Sequence, residues 1–584
     1  MNRLTLTLAS LALVSCTKEK EETAAKPETP SAPAVLTLHP SATKNPFNNA
    51  TKDIVVREDP AVDGWQSEAF SVASGKQLKL LGIYLTGQSS TLPQGVLAPS
   101  FSAPDLRPDN FEESTSLASI TVKKSLLSSD QTHALPEPFL KNTNHFKFKI
   151  IRVDLSENEA RTTALLQISG TEKGARLQIN ATWNCLWSTS DPPTLLSITP
   201  TAHEEVSSSV GFADCTRSAI GIPALIEDQL IYGRNHWYRS LESSIGVEGR
   251  GNGITIGDIN NDGLEDLYLC QPAALPNKLL LRKSDGSLRD ISASAGVDWL
   301  DATRAALFID LDNDGDQDLI LTQATRILFH ENAGNGTFPL RHTHESPSLL
   351  FSINAVDYDG DGRLDLFASG YSGAGELRPE DIFASPMPYH DANNGGSNVL
   401  LKNTGSWTFF DVTKASGLGG DNLRFTLASV WEDYDNDGDP DLYIANDFGR
   451  NNLFRNDNGT FTDVAAQAGV EDIGPGMSAA WGDANNDGLI DLYVSNMFSS
   501  AGSRITRQSQ FQQSDLAGFQ RHARGNSLFI NQGDGTFQDE AESSGTVMAR
   551  WAWGSQFVDL NNDGWRDLYV TNGFVTADER DDDL

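Results

Sequence analysis

One nine-residue loop, D-x-[DN]-x-D-G-x-x-D, occurs six times in this chain, beginning at Asp258, Asp310, Asp357, Asp433, Asp483 and Asp559. Every copy puts oxygen-bearing side chains at positions 1, 3, 5 and 9 and a glycine at position 6. The sets are Asp258, Asn260, Asp262 and Asp266; Asp310, Asp312, Asp314 and Asp318; Asp357, Asp359, Asp361 and Asp365. They continue with Asp433, Asp435, Asp437 and Asp441; Asp483, Asn485, Asp487 and Asp491; Asp559, Asn561, Asp563 and Asp567. Such crowding of hard oxygen donors, with a sharp bend and a free backbone carbonyl after it, suits the roughly six to eight oxygens that Ca²⁺ takes at about 2.3–2.6 Å. About one Ca²⁺ per loop, six in all, is therefore expected as cofactor. An EF-hand would need Glu at its twelfth position, and the first copy has Leu269 there.

An apolar run such as Asp491-Leu492-Tyr493-Val494 follows each loop at once. The copies are 52, 47, 76, 50 and 76 residues apart. A period of roughly 40–50 residues with several short β runs per unit marks propeller blades. In the best-formed unit the runs are Ser478–Asp483, Asp491–Asn496, Asn526–Asn531 and Gly535–Asp539, hence four strands. The expectation is a mainly β chain: a calcium-binding β-propeller over 250–584 with six recognisable repeats, preceded by a small α+β domain. Packing each sheet between its neighbours buries both faces and removes most exposed edges.

Residues 250–575 resemble the FG-GAP-like or VCBS repeat propellers, related to integrin α-subunit heads, and within them the cartilage-acidic-protein and ASPIC/UnbV group. The resemblance is carried by Asn452-Leu-Phe-Arg-Asn456, Gly459-Thr-Phe-Thr-Asp-Val464, Ala468-Gly-Val470, Trp431–Gly438 and Asp441-Leu-Tyr-Ile-Ala-Asn446. It implies a fold and calcium, and only weakly an activity. By that pattern two more strands should follow Asn572, so the last blade is incomplete. Two readings stand: Trp237–Gly246, similar to Thr536–Gly545, closes the ring, or a longer form completes it with seven blades.

At the amino terminus Arg3, the apolar stretch Leu4–Val14 and Leu13-Val14-Ser15-Cys16 resemble a bacterial lipoprotein signal, with residues 1–15 removed and Cys16 lipidated. The stretch is too short to span a bilayer, so the membrane would be reached through the lipid anchor only. Thr17 and Lys18 lack the aspartate associated with inner-membrane retention, and by resemblance the expected address is the outer membrane of the cell envelope. Residues 16–36, rich in Lys, Glu, Pro and Ala, read as a disordered tether.

The formal charge is −35, and six divalent ions, carrying +12, would leave −23. That acidity argues against nucleic acid as a partner, since phosphate binding needs a basic surface. A protein or a glycan at the envelope is the expected partner. No feature of the sequence sets an oligomeric state. Beyond Cys16 the cysteines are Cys185, Cys215 and Cys270. Pairing of Cys185 with Cys215 is open, and Cys270 reads as a buried small hydrophobe.

Residues 37–210 carry no loop of this kind. There Leu177, Ile179, Ala181, Trp183, Cys185 and Trp187 alternate with polar residues, a strand with one buried face. Helix-like spacing runs from Trp65 to Leu85, and a curved antiparallel sheet with α elements is expected. Residues 211–249 read as a helical connector and closing strand.

Two functional classes remain. The first is a calcium-stabilised binding or adhesion module, and the alternative is an envelope enzyme, a glycan lyase or an oxidoreductase, with its site on the inserted face. No nucleophile elbow, H-E-x-x-H or phosphate loop is present, and no catalytic residue is assigned. The two 76-residue intervals place insertions 370–396 and 497–525 between second and third strands, opposite the acidic loops. Arg504, Arg507, Arg521 and Arg524 in the second insertion, with Asn446, Asp447 and Asn496 at strand exits, are the candidate ligand-binding residues on that face.

Overall fold

The computed structural model describes residues 65–572, apart from 118, 128–135, 141–142, 233–252, 374–385, 510 and 512–514. Residues 63–584 form one compact unit. Cys16, the tether and Trp237–Gly246 lie outside the described residues.

Helix α1 (Gln66–Leu85) buries Leu78, Leu81 and Leu85, spaced three and four apart so that one stripe meets the core. It lies on a seven-stranded sheet built from β1 (Leu97–Ser102), β2 (Phe111–Leu117), β3 (Ile120–Ser125), β4 (Thr143–Leu155), β5 (Glu159–Glu172), β6 (Ala175–Ser188) and β7 (Leu195–Ser208). The order is β2-β3-β7-β6-β5-β4, with β1 parallel to β7. Along β6 burial alternates as the sequence pattern expects, and Ile179, Trp183 and Trp187 join the α1 leucines in one core. The Trp187 indole N–H donates to Thr162 Oγ1 at 2.9 Å, which makes so large a buried group tolerable. A Cβ on Gly82 would stand 2.3 Å from Phe146, so only glycine lets helix and sheet approach this closely.

Cys185 sits in that core, whereas Cys215 is exposed, and both are free. The disulfide left open by the sequence is therefore not formed; burial pushes the Cys185 thiol up to about 12, the character of a small apolar side chain. Cys270 is buried as expected. The connector is not one helix: α2 (Thr216–Ile220) stops at Gly221 (φ 62°), and a turn at Pro223–Leu225 leads into a π-type turn at Ile226–Leu230. Ile220, Leu225 and Ile226 seat it on Leu280 and Leu288 of the following sheet.

Then come five four-stranded antiparallel sheets, at 254–290, 303–345, 348–411, 426–463 and 476–539, and a two-stranded sheet at 552–572. Each stacks face to face on the next. Tyr268 and Leu279 of the first meet Leu319 and Leu328 of the second, and so on to Tyr493 and Leu528 of the fifth against Phe557 and Leu568 of the sixth. This is a propeller-like repeat of sheets. Within it Arg341–His344 belongs to Leu340–Glu345, the fourth strand of the second sheet. The tyrosines of the Asp-Leu-Tyr runs in the first, fourth and fifth sheets are buried, and each hydroxyl donates to a carbonyl beyond the outer strand, at 2.8 Å for Tyr268 to Val297. Among the described residues no strand pairing joins the sixth sheet to the first. Ile254 and Ile256 on the first sheet and Tyr569 on the last are exposed.

Candidate metal centres

All six acidic loops lie between the first and second strands of their sheets and share one internal wiring. The position-1 carboxylate accepts the backbone N–H groups of positions 5 and 6, as Asp258 does from Asp262 at 3.0 Å and Gly263 at 2.7 Å. The same pair of bonds recurs at Asp310, Asp357, Asp433, Asp483 and Asp559. The bend requires left-handed backbone at position 4, taken by Asn261, Asn313, Gly360, Asn436, Asn486 and Asn562, and again at the glycine two places on.

Carboxylates converge in the three loops whose position 3 is aspartate. The ligand atoms of Asp310, Asp312 and Asp318, of Asp357, Asp359 and Asp361, and of Asp433, Asp435 and Asp441 lie within 4.8 Å of one another in each group. Oδ1 of Asp312, Asp359 and Asp435 is buried with no hydrogen-bond partner. A buried carboxylate oxygen left without a donor costs on the order of 1–3 kcal/mol, and a cation at the focus of the loop removes that cost. The residues therefore fit a hard divalent ion. In two of the three Asn-bearing loops the amide donates within the loop: Asn260 Nδ2 to Asp262 at 3.1 Å and Asn485 Nδ2 to Asp487 at 2.8 Å.

Position 9 has a second role. Asp318 accepts N–H groups from Leu311 in its own loop and Asn332 just after the third strand, at 2.9 and 2.8 Å. Burial, reinforced by neighbouring loop carboxylates and opposed by these donors, pushes Asp318 and Asp365 up to about 7 and Asp441 up to about 8.

Sequence reasoning missed the asparagine that ends, or in the second sheet closely follows, the third strand of the second to fifth sheets. Its side chain reaches back to the preceding sheet's loop: Asn332 Nδ2 donates to Ile259 O at 2.8 Å, Asn403 to Leu311 O at 2.9 Å, Asn456 to Tyr358 O at 2.9 Å and Asn531 to Tyr434 O at 3.0 Å. The first sheet has no preceding loop, and Arg282 stands at its corresponding place. The sequence signal was present in Leu-Phe-x-Asn, quoted above only as a family mark.

The inserted face turns out differently from its sequence expectation. Both insertions do join second to third strands, and they pack on each other: His390 Nε2 lies 2.9 Å from Asp515, and Tyr389 meets His522 edge-on. Asp391 of the first insertion is bonded by Arg450 and Arg424, which outweigh its burial and hold its carboxyl at about 2. The second insertion folds into α3 (Ser500–Ile505) and α4 (Leu516–His522). Arg504, however, is paired with Glu68 of α1 at 2.6 Å and donates to Ile150 O, clamping the N-terminal domain to the propeller. Arg521 pairs with buried Asp472 at 3.1 Å, and Arg524 with Asp539 at 2.6 Å. Asn446 and Asn496 are buried and close their own loops through Arg450 O and Gly525 O, while Asp447 accepts the Tyr371 hydroxyl at 2.6 Å. Of the seven residues expected to form an open recognition face, only Arg507 is exposed. The cations were drawn inward because buried carboxylates such as Glu68 and Asp472 need counter-charges.

Comparison with known proteins agrees with the repeat. Residues 258–321, 310–368, 433–494 and 513–570 match the FG-GAP-like repeat. A stretch of 124 residues is 31% identical to cartilage acidic protein 1 of Xenopus tropicalis, covering 20% of this chain and 19% of that protein. Among solved structures, a lectin of Agrocybe aegerita described for recognition of non-reducing terminal N-acetylglucosamine overlays 78% of this chain and 96% of its own, at 12% identity and TM-score 0.30. A protein from Lactobacillus plantarum overlays 68% and 95%, at 10% identity and TM-score 0.29. Likenesses at those TM-scores bear on neither fold nor ligand.

Proposed function

We propose that this FG-GAP-repeat protein is a calcium-stabilised binding module of the bacterial cell envelope, held by lipid on Cys16 and recognising a protein or glycan. The observation that carries the calcium reading is the set of buried, partnerless oxygens on Asp312, Asp359 and Asp435, each at the focus of converging carboxylates. A bound ion would neutralise those carboxylates and fix the loop. The protein's own part is to orient them: backbone N–H groups hold positions 1 and 9, and the clamp asparagines fix one loop against the next sheet. Metal binding is then part of folding.

Support for the anchor is the Leu13-Val14-Ser15-Cys16 motif and the polar stretch after it. Among the described residues no helix is long and apolar enough to cross a membrane. The test has two arms. Metal analysis of the purified chain should find about six Ca²⁺, and chelation should lower the melting temperature sharply. Identical melting with chelator and with excess calcium would overturn the structural-calcium reading. Cys16→Ser should move the protein out of the membrane fraction, and an unmodified terminus at another residue would refute the anchor.

A further inference from the structure

A cavity of about 760 Å³ separates the N-terminal sheet from the propeller, within the span usual for small-ligand sites. Its floor is the sheet face turned away from α1, the polar half of the alternation that looked merely solvent-facing in the sequence. Strand register lays two rows across that floor. In the first, Lys147 stands opposite Gln167, Gln167 opposite Asn180 and Asn180 opposite Glu204. In the second the succession is Lys149, Leu165, Thr182 and Ala202. Three inter-strand steps of about 4.8 Å make each row roughly 14 Å long. The roof comes from the propeller: Phe498, Met548, Arg550 and Trp551.

Charge is distributed unequally along the rows. Lys147, Lys149 and Arg550 gather at one end, and Lys149 is half-buried with no carboxylate of the described residues paired to it. Burial first, then the charges of Lys147, Arg504 and Arg550, lower its pKa. Arg504 is already neutralised by Glu68, and Arg550 leans on the Gln167 amide. Arg550 is also held at φ 60°, a left-handed backbone that non-glycine residues seldom adopt. Toward the other end runs a chain of amides and acid, Gln178 Nε2 to Asn180 Oδ1 at 3.0 Å and Asn180 Nδ2 to Glu204 Oε1 at 3.1 Å.

We propose that this cavity is a binding site for an acidic saccharide, a carboxylate-bearing sugar unit lying along the rows with its carboxylate at Lys147, Lys149 and Arg550. The cationic end recognises the carboxylate. Amides and Glu204 supply the alternating donors and acceptors that sugar hydroxyls need, and Trp551 and Phe498 offer apolar surface to a ring face. A bare phosphate would use the cationic end and leave the polar row and aromatic roof without a partner. The proposal deepens the binding-module reading by naming a ligand class, and it rests on that reading.

The test is calorimetric titration of the mature, calcium-loaded protein with α-1,4-linked di-D-galacturonate, the neutral digalactose and inorganic phosphate. The acidic disaccharide should bind, weaken with added salt, and exceed digalactose by about tenfold or more, the factor a charge-assisted bond supplies. Lys149→Met should cost about tenfold in that affinity. Its melting temperature should hold or rise, because the substitution removes a desolvated cation from among like charges. Absence of binding at millimolar ligand, equal binding of digalactose, or displacement by phosphate at equal affinity overturns the proposal, as does unchanged binding in Lys149→Met. A protein that holds calcium yet ignores galacturonate refutes this inference and leaves the calcium reading standing.

Discussion

Lys402 places an ammonium against Asp359 and 3.3 Å from Asp361 in the third acidic loop, whereas Glu331 takes the corresponding place, just before the clamp asparagine, beside the second. The Asp359 hydrogen bond holds Lys402 charged well above its usual range. The third loop thus carries a built-in competitor for its metal, whereas beside the second stands a carboxylate paired with Arg341. Unit charges near 4 Å interact by about 1 kcal/mol in water and about 4 kcal/mol near a protein surface, so Lys402→Met should raise calcium affinity at one site by on the order of tenfold or more. Calcium titration resolving the weakest site reads this directly, and an unchanged binding curve would refute it. The position-by-position roles within each loop were legible because all nine residues are contiguous. Lys402 was not, because only strand register brings it to Asp359.

At the scale of the element, each of the second to fifth sheets completes the loop of the sheet before it. Asn531 belongs to the fifth sheet, yet its amide supports Tyr434 O in the fourth sheet's loop at 3.0 Å as well as Ile490 O in its own sheet's loop at 3.1 Å. Asn531→Ala should cost about 1–3 kcal/mol, the price of buried carbonyls losing their donors. Calcium binding should weaken at the loop of Asp433 as well as at that of Asp483, checked by titrating the variant beside Asp433→Asn and Asp483→Asn references. An Asp433 loop that binds calcium as tightly as before would remove the clamp's cross-sheet role. Strands, hairpin loops and α1 were readable because periodicity and glycine placement are local signals. The connector was misread as one helix because Ile222, Leu225 and Ile226 have helical spacing, while Gly221 and Pro223 break the backbone.

For the whole molecule, the decisive contact joins residues 436 apart in sequence, Arg504 and Glu68. No periodicity marks such a pair, which is why Arg504 looked like a free recognition residue. Both side chains are largely buried, so removing one leaves an unpaired charge, and Arg504→Met should destabilise the protein by about 3–5 kcal/mol. The double variant Glu68→Leu with Arg504→Met should recover much of that loss, as apolar replacements of buried ion pairs often do. Thermal unfolding of the three proteins tests this, and equal melting of the single and double variants would contradict it. The overlap of each sheet on the preceding loop also governs biogenesis. A chain made from its amino terminus cannot finish any of the first four loops until the clamp asparagine of the following sheet has emerged, 73 to 98 residues after the carbonyl it holds. Maturation therefore advances one sheet behind synthesis, and calcium captured early rests in a half-built seat until the next asparagine arrives.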